Sequence, residues 1–170
     1  GFFLLSDHGF TAVRQEVRLN AWLREEGYLA YAKEDPATVG DLAPERTRAF
    51  ALDPGRVYLN TKGRFPRGCV EAEAAGALRE EIAGKLRGLS CEGQPVVSQV
   101  FAREEVFRGP RASVGPDLVV LTHPGFDPKG STKAAEVFGS THFQGMHTWE
   151  DAFLWSALPV REDPWIHDVA

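Results

Sequence analysis

The feature that most constrains this chain is the run Phe2-Phe3-Leu4-Leu5, apolar at every position and closed by Ser6-Asp7-His8-Gly9. A short run without polar alternation suits a strand covered on both faces, as in a parallel sheet between helices. In an open α/β sheet, ligand sites form in the crevice beyond the carboxyl ends of the strands. Asp7 and His8 are therefore expected at such a crevice. Neighbouring strand residues point to opposite faces, so both reach one ion only if the chain turns, which Gly9 makes easy. A carboxylate with an imidazole suits zinc or a similar divalent ion such as manganese. The plainer alternative is that Asp7 caps a turn and His8 packs, and spacing alone does not separate the two.

The rest of the pattern alternates helix and strand. Leu19, Trp22 and Leu23 share one helical face, and Gly27 is a suitable stop. Residues 47–52 and 56–59 read as strands joined by the turn Asp53-Pro54-Gly55. After a loop over 60–68 rich in Gly, Pro and Arg, a helix is expected over 70–89, with Ala75, Leu78, Ile82, Leu86 and Leu89 on one stripe. Strands are expected over 95–101, 117–121 and 152–156, with a polar turn or short helix over 103–107 and a loop from 123 to 145. Such alternation points to an α/β fold. No internal repeat or linker marks a domain boundary.

With 170 residues, 43% hydrophobic and 25% charged, the chain is long enough for one domain with a real core. A formal charge of −5 argues against nucleic acid as a main partner. It leaves room for a small phosphorylated substrate, because a bound cation inverts the local field. Cys69 and Cys91 belong to no metal-binding pattern and are expected as half-buried thiols. No segment reaches the length of a membrane span, and the opening residues make no signal peptide, which favours a soluble, cytoplasmic chain. Both ends are nonetheless expected to be cut, since each falls in apolar sequence where exposed termini are usually polar.

A second imidazole stands in Gly145-Met146-His147-Thr148-Trp149-Glu150-Asp151-Ala152-Phe153-Leu154. A histidine in a glycine-flanked loop ahead of a strand can reach the crevice used by Asp7 and His8, although loop histidines are more often plain surface groups. Leu4-Leu5-Ser6-Asp7-His8-Gly9-Phe10 resembles the strand and SDHGF motif of alkaline-phosphatase-like phosphodiesterases. Leu19-Asn20-Ala21-Trp22-Leu23, Gly27-Tyr28-Leu29, Val57-Tyr58-Leu59-Asn60, Gly63-Arg64, Pro116-Asp117-Leu118-Val119-Val120 and Gly145-Met146-His147 follow in the order of that branch. Ile166-His167-Asp168-Val169-Ala170 resembles its later segment.

The resemblance implies an alkaline-phosphatase-like domain, with a mixed, mostly parallel sheet sandwiched by helices. Residues 1–170 would form its C-terminal portion, truncated at both ends. It implies a two-metal phosphohydrolase of phosphodiesterase or phosphomutase type that acts through a covalent phospho-enzyme. By position, Asp7 and His8 would serve one divalent ion and His147 the other, with zinc or manganese as the metal. The Thr, Ser or Cys nucleophile would lie in the N-terminal half, which becomes a partner of this segment and leaves it inactive alone. Asn60 and Arg64 are candidate substrate contacts, the latter through its forked donors; a turn-former and a loop arginine bonding carbonyls are the bland readings. Thr148 and Asp151 stand where one common form of the family has Arg and Gly, so no substrate contact is carried over to them. Alternatives are a sulfatase or phosphonate-hydrolase relative, a single-zinc site, and a non-catalytic module kept for binding or assembly.

Overall fold

The computed structural model describes residues 1–140, 142–148 and 150–159. The segment 166–170 therefore lies outside the described residues. Three short strands come first, β1 (Phe3–Ser6), β2 (Gly9–Ala12) and β3 (Gln15–Arg18), followed by helix α1 (Leu19–Glu25). A hairpin of β4 (Ala49–Asp53) and β5 (Arg56–Leu59) leads to the long helix α2 (Ala72–Arg87). Then come the small hairpin β6 (Ser90–Cys91) and β7 (Gln94–Pro95), strand β8 (Val97–Ala102) and one turn of helix, α3 (Arg103–Val106). Strands β9 (Leu118–Thr122), β10 (Phe126–Lys129), β11 (Phe138–Gly139), β12 (Gly145–Thr148) and β13 (Phe153–Ser156) complete the order.

The core forms where the apolar periodicity is clearest. On α2, Leu78, Ile82 and Leu86 are buried and Ala75 partly so, while Leu89, expected on the same stripe, is partly buried just beyond the helix end. On α1, Leu19, Trp22 and Leu23 are buried. Gly27 ends that helix at φ +76°, a conformation that costs a glycine little. Both helices pack on a four-stranded sheet of order β4-β5-β9-β8, α2 against β8 and α1 against β4. Strands β5 and β8 each run antiparallel to β9 and hence parallel to one another. The unit β5–α2–β8 is thus a helical crossover with β9 slotted between its strands.

Strand direction differs from expectation. Among the described residues the sheets are mostly antiparallel, and β3 with β10 is the parallel pair. Tight connections such as Asp53–Arg56 admit only antiparallel neighbours. The stretch expected as loop from 123 to 145 also holds β10 and β11.

The larger correction concerns β1. It pairs with β13 in a two-stranded ribbon, and its side chains are exposed rather than covered, Phe3 at 64% and Leu5 at 54%. Trp155, on the same ribbon, is 53% exposed. An isolated pair of strands has two faces and two edges, which these residues alone cannot cover. Among the described residues, no helix is long and apolar enough to cross a membrane.

Away from the core, a short 3-10 turn (Val39–Asp41) is held by its own cap. Asp41 accepts from the Ala37 and Thr38 amides and pairs with Lys33 at 2.8 Å. First Lys33, then those two amides, lower the carboxyl from 3.8 to about 2. A depressed pKa means that the contribution is present above the unfolded value and is lost as pH falls through the folded one. The Thr38 amide shift is therefore expected to hold down to pH 3.8 and to change with a midpoint near 2. An NMR titration with its midpoint at 3.8 would show the cap to be absent.

Candidate functional site

Antiparallel pairing brings the two distant histidines together. In the β2–β12 ladder Phe10 faces His147 and Gly9 faces Thr148. His8 precedes Phe10 by two residues and so shares its face, which makes it the diagonal neighbour of His147. Their rings stack with centroids 3.8 Å apart and planes 19° from parallel. The Phe10 ring lies 5.9 Å from His147 on the other side.

Asp7 and His8 form the link between β1 and β2, outside both strands. Ser6 Oγ donates to the His8 carbonyl at 2.7 Å, which braces that link. His8 Nδ1 lies 2.8 Å from the Gly9 carbonyl. A carbonyl only accepts, so this contact is a hydrogen bond only with the proton on Nδ1. In that tautomer Nε2 would be the ring nitrogen available to a ligand. The Asp7 carboxylate is 3.7 Å from Nε2, and its side chain is 87% exposed.

Gly9 is required for space rather than for a turn. A Cβ there would collide with Thr148 Oγ1 and the Glu150 carbonyl. Gly145 is similar, since a Cβ would enter the Phe10 ring. The two glycines let β2 and β12 approach closely enough for the rings to stack. The position four residues after His147 also has a backbone reason to be noticed. Asp151 adopts φ +66°, a region that favours glycine and that Asp tolerates better than most. Gly9→Ala is expected to cost about 1–3 kcal/mol, the range for overpacking a tight contact, and to part the two rings. Urea unfolding and the histidine ring-proton shifts would read both effects. Stability unchanged within about 0.5 kcal/mol, with unmoved shifts, would refute the close-approach argument.

A cavity of ≈ 300 Å³ opens beside the histidines, lined by His8, His147, Pro54, Thr122, Pro128 and Glu150 among others. Its hydroxyls are engaged, Thr122 donating to the Phe126 carbonyl at 2.6 Å and Thr148 to that of Glu150 at 3.2 Å. Glu150, which the sequence did not single out, sits three residues past His147 on this wall. Among the described residues, no three His, Cys, Asp or Glu side chains cluster closely enough to hold a metal ion. What the described residues do bring together is two imidazoles in ring contact with one carboxylate alongside.

The other two candidates are not part of this group. Asn60 is buried, its Nδ2 donating to the Pro44 and Thr47 carbonyls at 2.9 Å. Arg64 donates to Asp117 at 2.6 Å and to the Val114 and Gly115 carbonyls. A phosphate contact by Arg64 would have to displace these partners. Arg103, in the stretch expected as a polar turn or short helix, also bonds Asp117 and the Gly115 and Pro116 carbonyls. Asn20 is another residue with a positioning role that spacing did not reveal. Buried on α1, it exchanges hydrogen bonds with the backbone of Ala51 on β4 and donates to the Gly130 carbonyl, tying the loop after β10 to the sheet. Cys69 and Cys91 are free thiols, each half-buried.

The model of the family described as type I phosphodiesterase / nucleotide pyrophosphatase matches residues 1–150. The chain belongs to that family. This places it in the alkaline phosphatase superfamily and assigns it a phosphodiesterase/pyrophosphatase-type hydrolase lineage. No curated protein and no solved structure gives a match. Both histidines lie inside the matched residues. So do Asp7, Gly9 and Gly145.

Proposed function

We propose that this chain supplies one rim of a two-metal phosphohydrolase site, in a protein that cleaves a phosphodiester of a small substrate. The single observation that carries the reading is the stacked pair His8–His147, joined from opposite ends of the chain with Asp7 beside it. Asp7 and His8 would hold one divalent cation, zinc or manganese, and His147 the second. Such ions supply positive charge at the attacking and leaving oxygens of an in-line displacement. The protein's own part is to hold the imidazoles in place. The Gly9 carbonyl does this for His8, and the tight β2–β12 ladder orients His147.

The nucleophile that would form a covalent phospho-enzyme is assigned to chain outside residues 1–170. Two observations support this. Both hydroxyls on the cavity wall are committed to backbone carbonyls. The β1–β13 ribbon is apolar and exposed on both faces, as expected of interior strands whose cover comes from other segments of one domain. In this proposal that cover is the N-terminal half of an alkaline-phosphatase-like fold, whose added strands and helices would complete a mostly parallel sandwich.

Hydrolysis of bis-p-nitrophenyl phosphate by the protein tests the reading. Chelation is expected to abolish turnover, and added zinc or manganese to restore it. Turnover indifferent to chelator would refute the two-metal assignment. Turnover at a normal enzymatic rate by residues 1–170 alone would refute the external nucleophile.

A further inference from the structure

The chain carries a net charge of −5, yet one exposed segment runs against that balance. Between α3 and β9, Arg108-Gly109-Pro110-Arg111-Ala112-Ser113-Val114 holds two arginines and no acid. Among the described residues, neither Arg108 nor Arg111 has a carboxylate partner. Arg64 and Arg103 bond the carbonyls of Val114, Gly115 and Pro116 and share the carboxylate of Asp117. The nearby Glu104 and Glu105 are already engaged, by Arg79 and by the Ala102 amide. Four guanidiniums thus gather on this segment against the one carboxylate of Asp117.

Ser113 lies among them. It is exposed, and among the described residues its hydroxyl makes no hydrogen bond. The backbone here is easy to open. The 3-10 turn Ala112–Val114 buries no residue, and its closing bonds are Val114 N–H to the Arg111 carbonyl at 3.1 Å and Gly115 N–H to that of Ala112 at 3.0 Å. Residues 108–111 ahead of it are all exposed. A surface loop of this kind can be drawn into the extended groove of a modifying enzyme with little loss of structure. Ser90, three residues after Arg87, differs: it is paired in β6, and Arg87 donates to the Val100 carbonyl.

We propose that Ser113 is a phosphorylation site, written by a protein kinase with an acidic peptide groove and read out by the arginines around it. Arg111 two residues before the serine and Arg108 five before supply the cations for such a groove. Val114, 69% exposed, offers an apolar contact just after it. In the transfer, Ser113 Oγ bonds to the γ-phosphorus of a nucleoside triphosphate. The bridging bond to the β-phosphate breaks, the nucleoside diphosphate leaves, and the hydroxyl proton passes to the kinase's base. The attached phosphate carries a charge of about −1.5 to −2 at pH 7 and three acceptor oxygens. It arrives where guanidiniums outnumber carboxylates, so it gains ion pairs rather than repulsion. The consequence is a loop fastened at the entry to β9, whose Val120, Leu121 and Thr122 run on to the wall of the histidine cavity.

The test incubates the protein with magnesium ATP and the catalytic subunit of a cyclic-AMP-dependent protein kinase, then maps phosphate by mass spectrometry. Ser113 is expected to be the modified residue, with Ser90 and Ser131 left bare. Arg108→Ala combined with Arg111→Ala, both at exposed positions, is expected to slow transfer about tenfold or more, the factor for one charge-assisted contact. In the phosphorylated protein, hydrogen exchange of the Val114 and Gly115 amides is expected to slow about tenfold, as one new ion-paired hydrogen bond would give. Phosphate on Ser90 in place of Ser113, no phosphate at all, or transfer indifferent to the two arginines would overturn the kinase site. Complete phosphorylation with unchanged amide exchange would overturn the arginine read-out. Neither measurement reads ester turnover, so the hydrolase reading stands or falls separately.

Discussion

Replacing Asp117 with alanine is expected to destabilise the protein by about 3–5 kcal/mol, the cost of removing one partner from a buried charge network. Asp117 sits just ahead of β9 and is almost fully buried. One carboxylate oxygen accepts from the Leu59 amide at 2.8 Å and from Arg64 at 2.6 Å; the other accepts from Arg103. Both arginines are mostly buried. Without the carboxylate they keep their carbonyl partners at Val114, Gly115 and Pro116, but two positive charges are left facing one another. The Leu59 amide, on the strand paired with β4, loses its acceptor. Asp117→Asn retains an oxygen for that amide and not the charge, so an intermediate loss is expected. Urea unfolding at constant slope measures both. A loss below about 1 kcal/mol would mean that the cluster behaves as a solvent-exposed ion pair, and the argument would fail.

The same cluster shows where the sequence was opaque. Arg103-Glu104-Glu105 is polar and reads as a solvated face, because nothing local reveals that Asp117 and Arg64 will close on Arg103. Long-range partners carry no periodicity. Helix α2 was legible because its apolar stripe repeats within a few residues, and the β4–β5 hairpin because Asp53-Pro54-Gly55 is turn chemistry. Strands β2, β10 and β12 contain Gly, Pro, Thr and Lys, weak strand formers apart from Thr, and they exist because a partner strand satisfies their backbone. Strand β1 failed in the opposite sense. Its composition correctly marks it as a strand, but the burial on both faces that an all-apolar run suggests is not found, because its partner strand β13 covers neither face. For the candidate site, Asp7, His8 and His147 were singled out through motif order rather than spacing, and the β2–β12 ladder brings the two histidine rings together. What the sequence concealed was the role of Gly9, read as a turn residue and found to be a gap that Thr148 and Glu150 occupy.

His8→Ala and His147→Ala are each expected to lower diesterase activity of the protein by a factor of about 10² or more, a loss of roughly 3 kcal/mol of transition-state stabilisation. Each should also lower metal content. The rings touch, so the variants do not act independently. The double replacement is expected to cost little more than either single one, as for groups that work as a unit. His142→Ala, on an exposed loop residue, controls for general effects and should change activity less than about twofold, as surface substitutions usually do. Metal content separates the alternatives. Full content in the Asp7→Ala, His8→Ala and His147→Ala proteins would favour a non-catalytic module, since none of these side chains would then be holding an ion. A stoichiometry near one in the wild type would favour a single-ion site over the two-ion reading. Partial loss in each single variant, with activity lost in all, is the outcome that two neighbouring ions require, because removing a ligand from one leaves the other's donors in place.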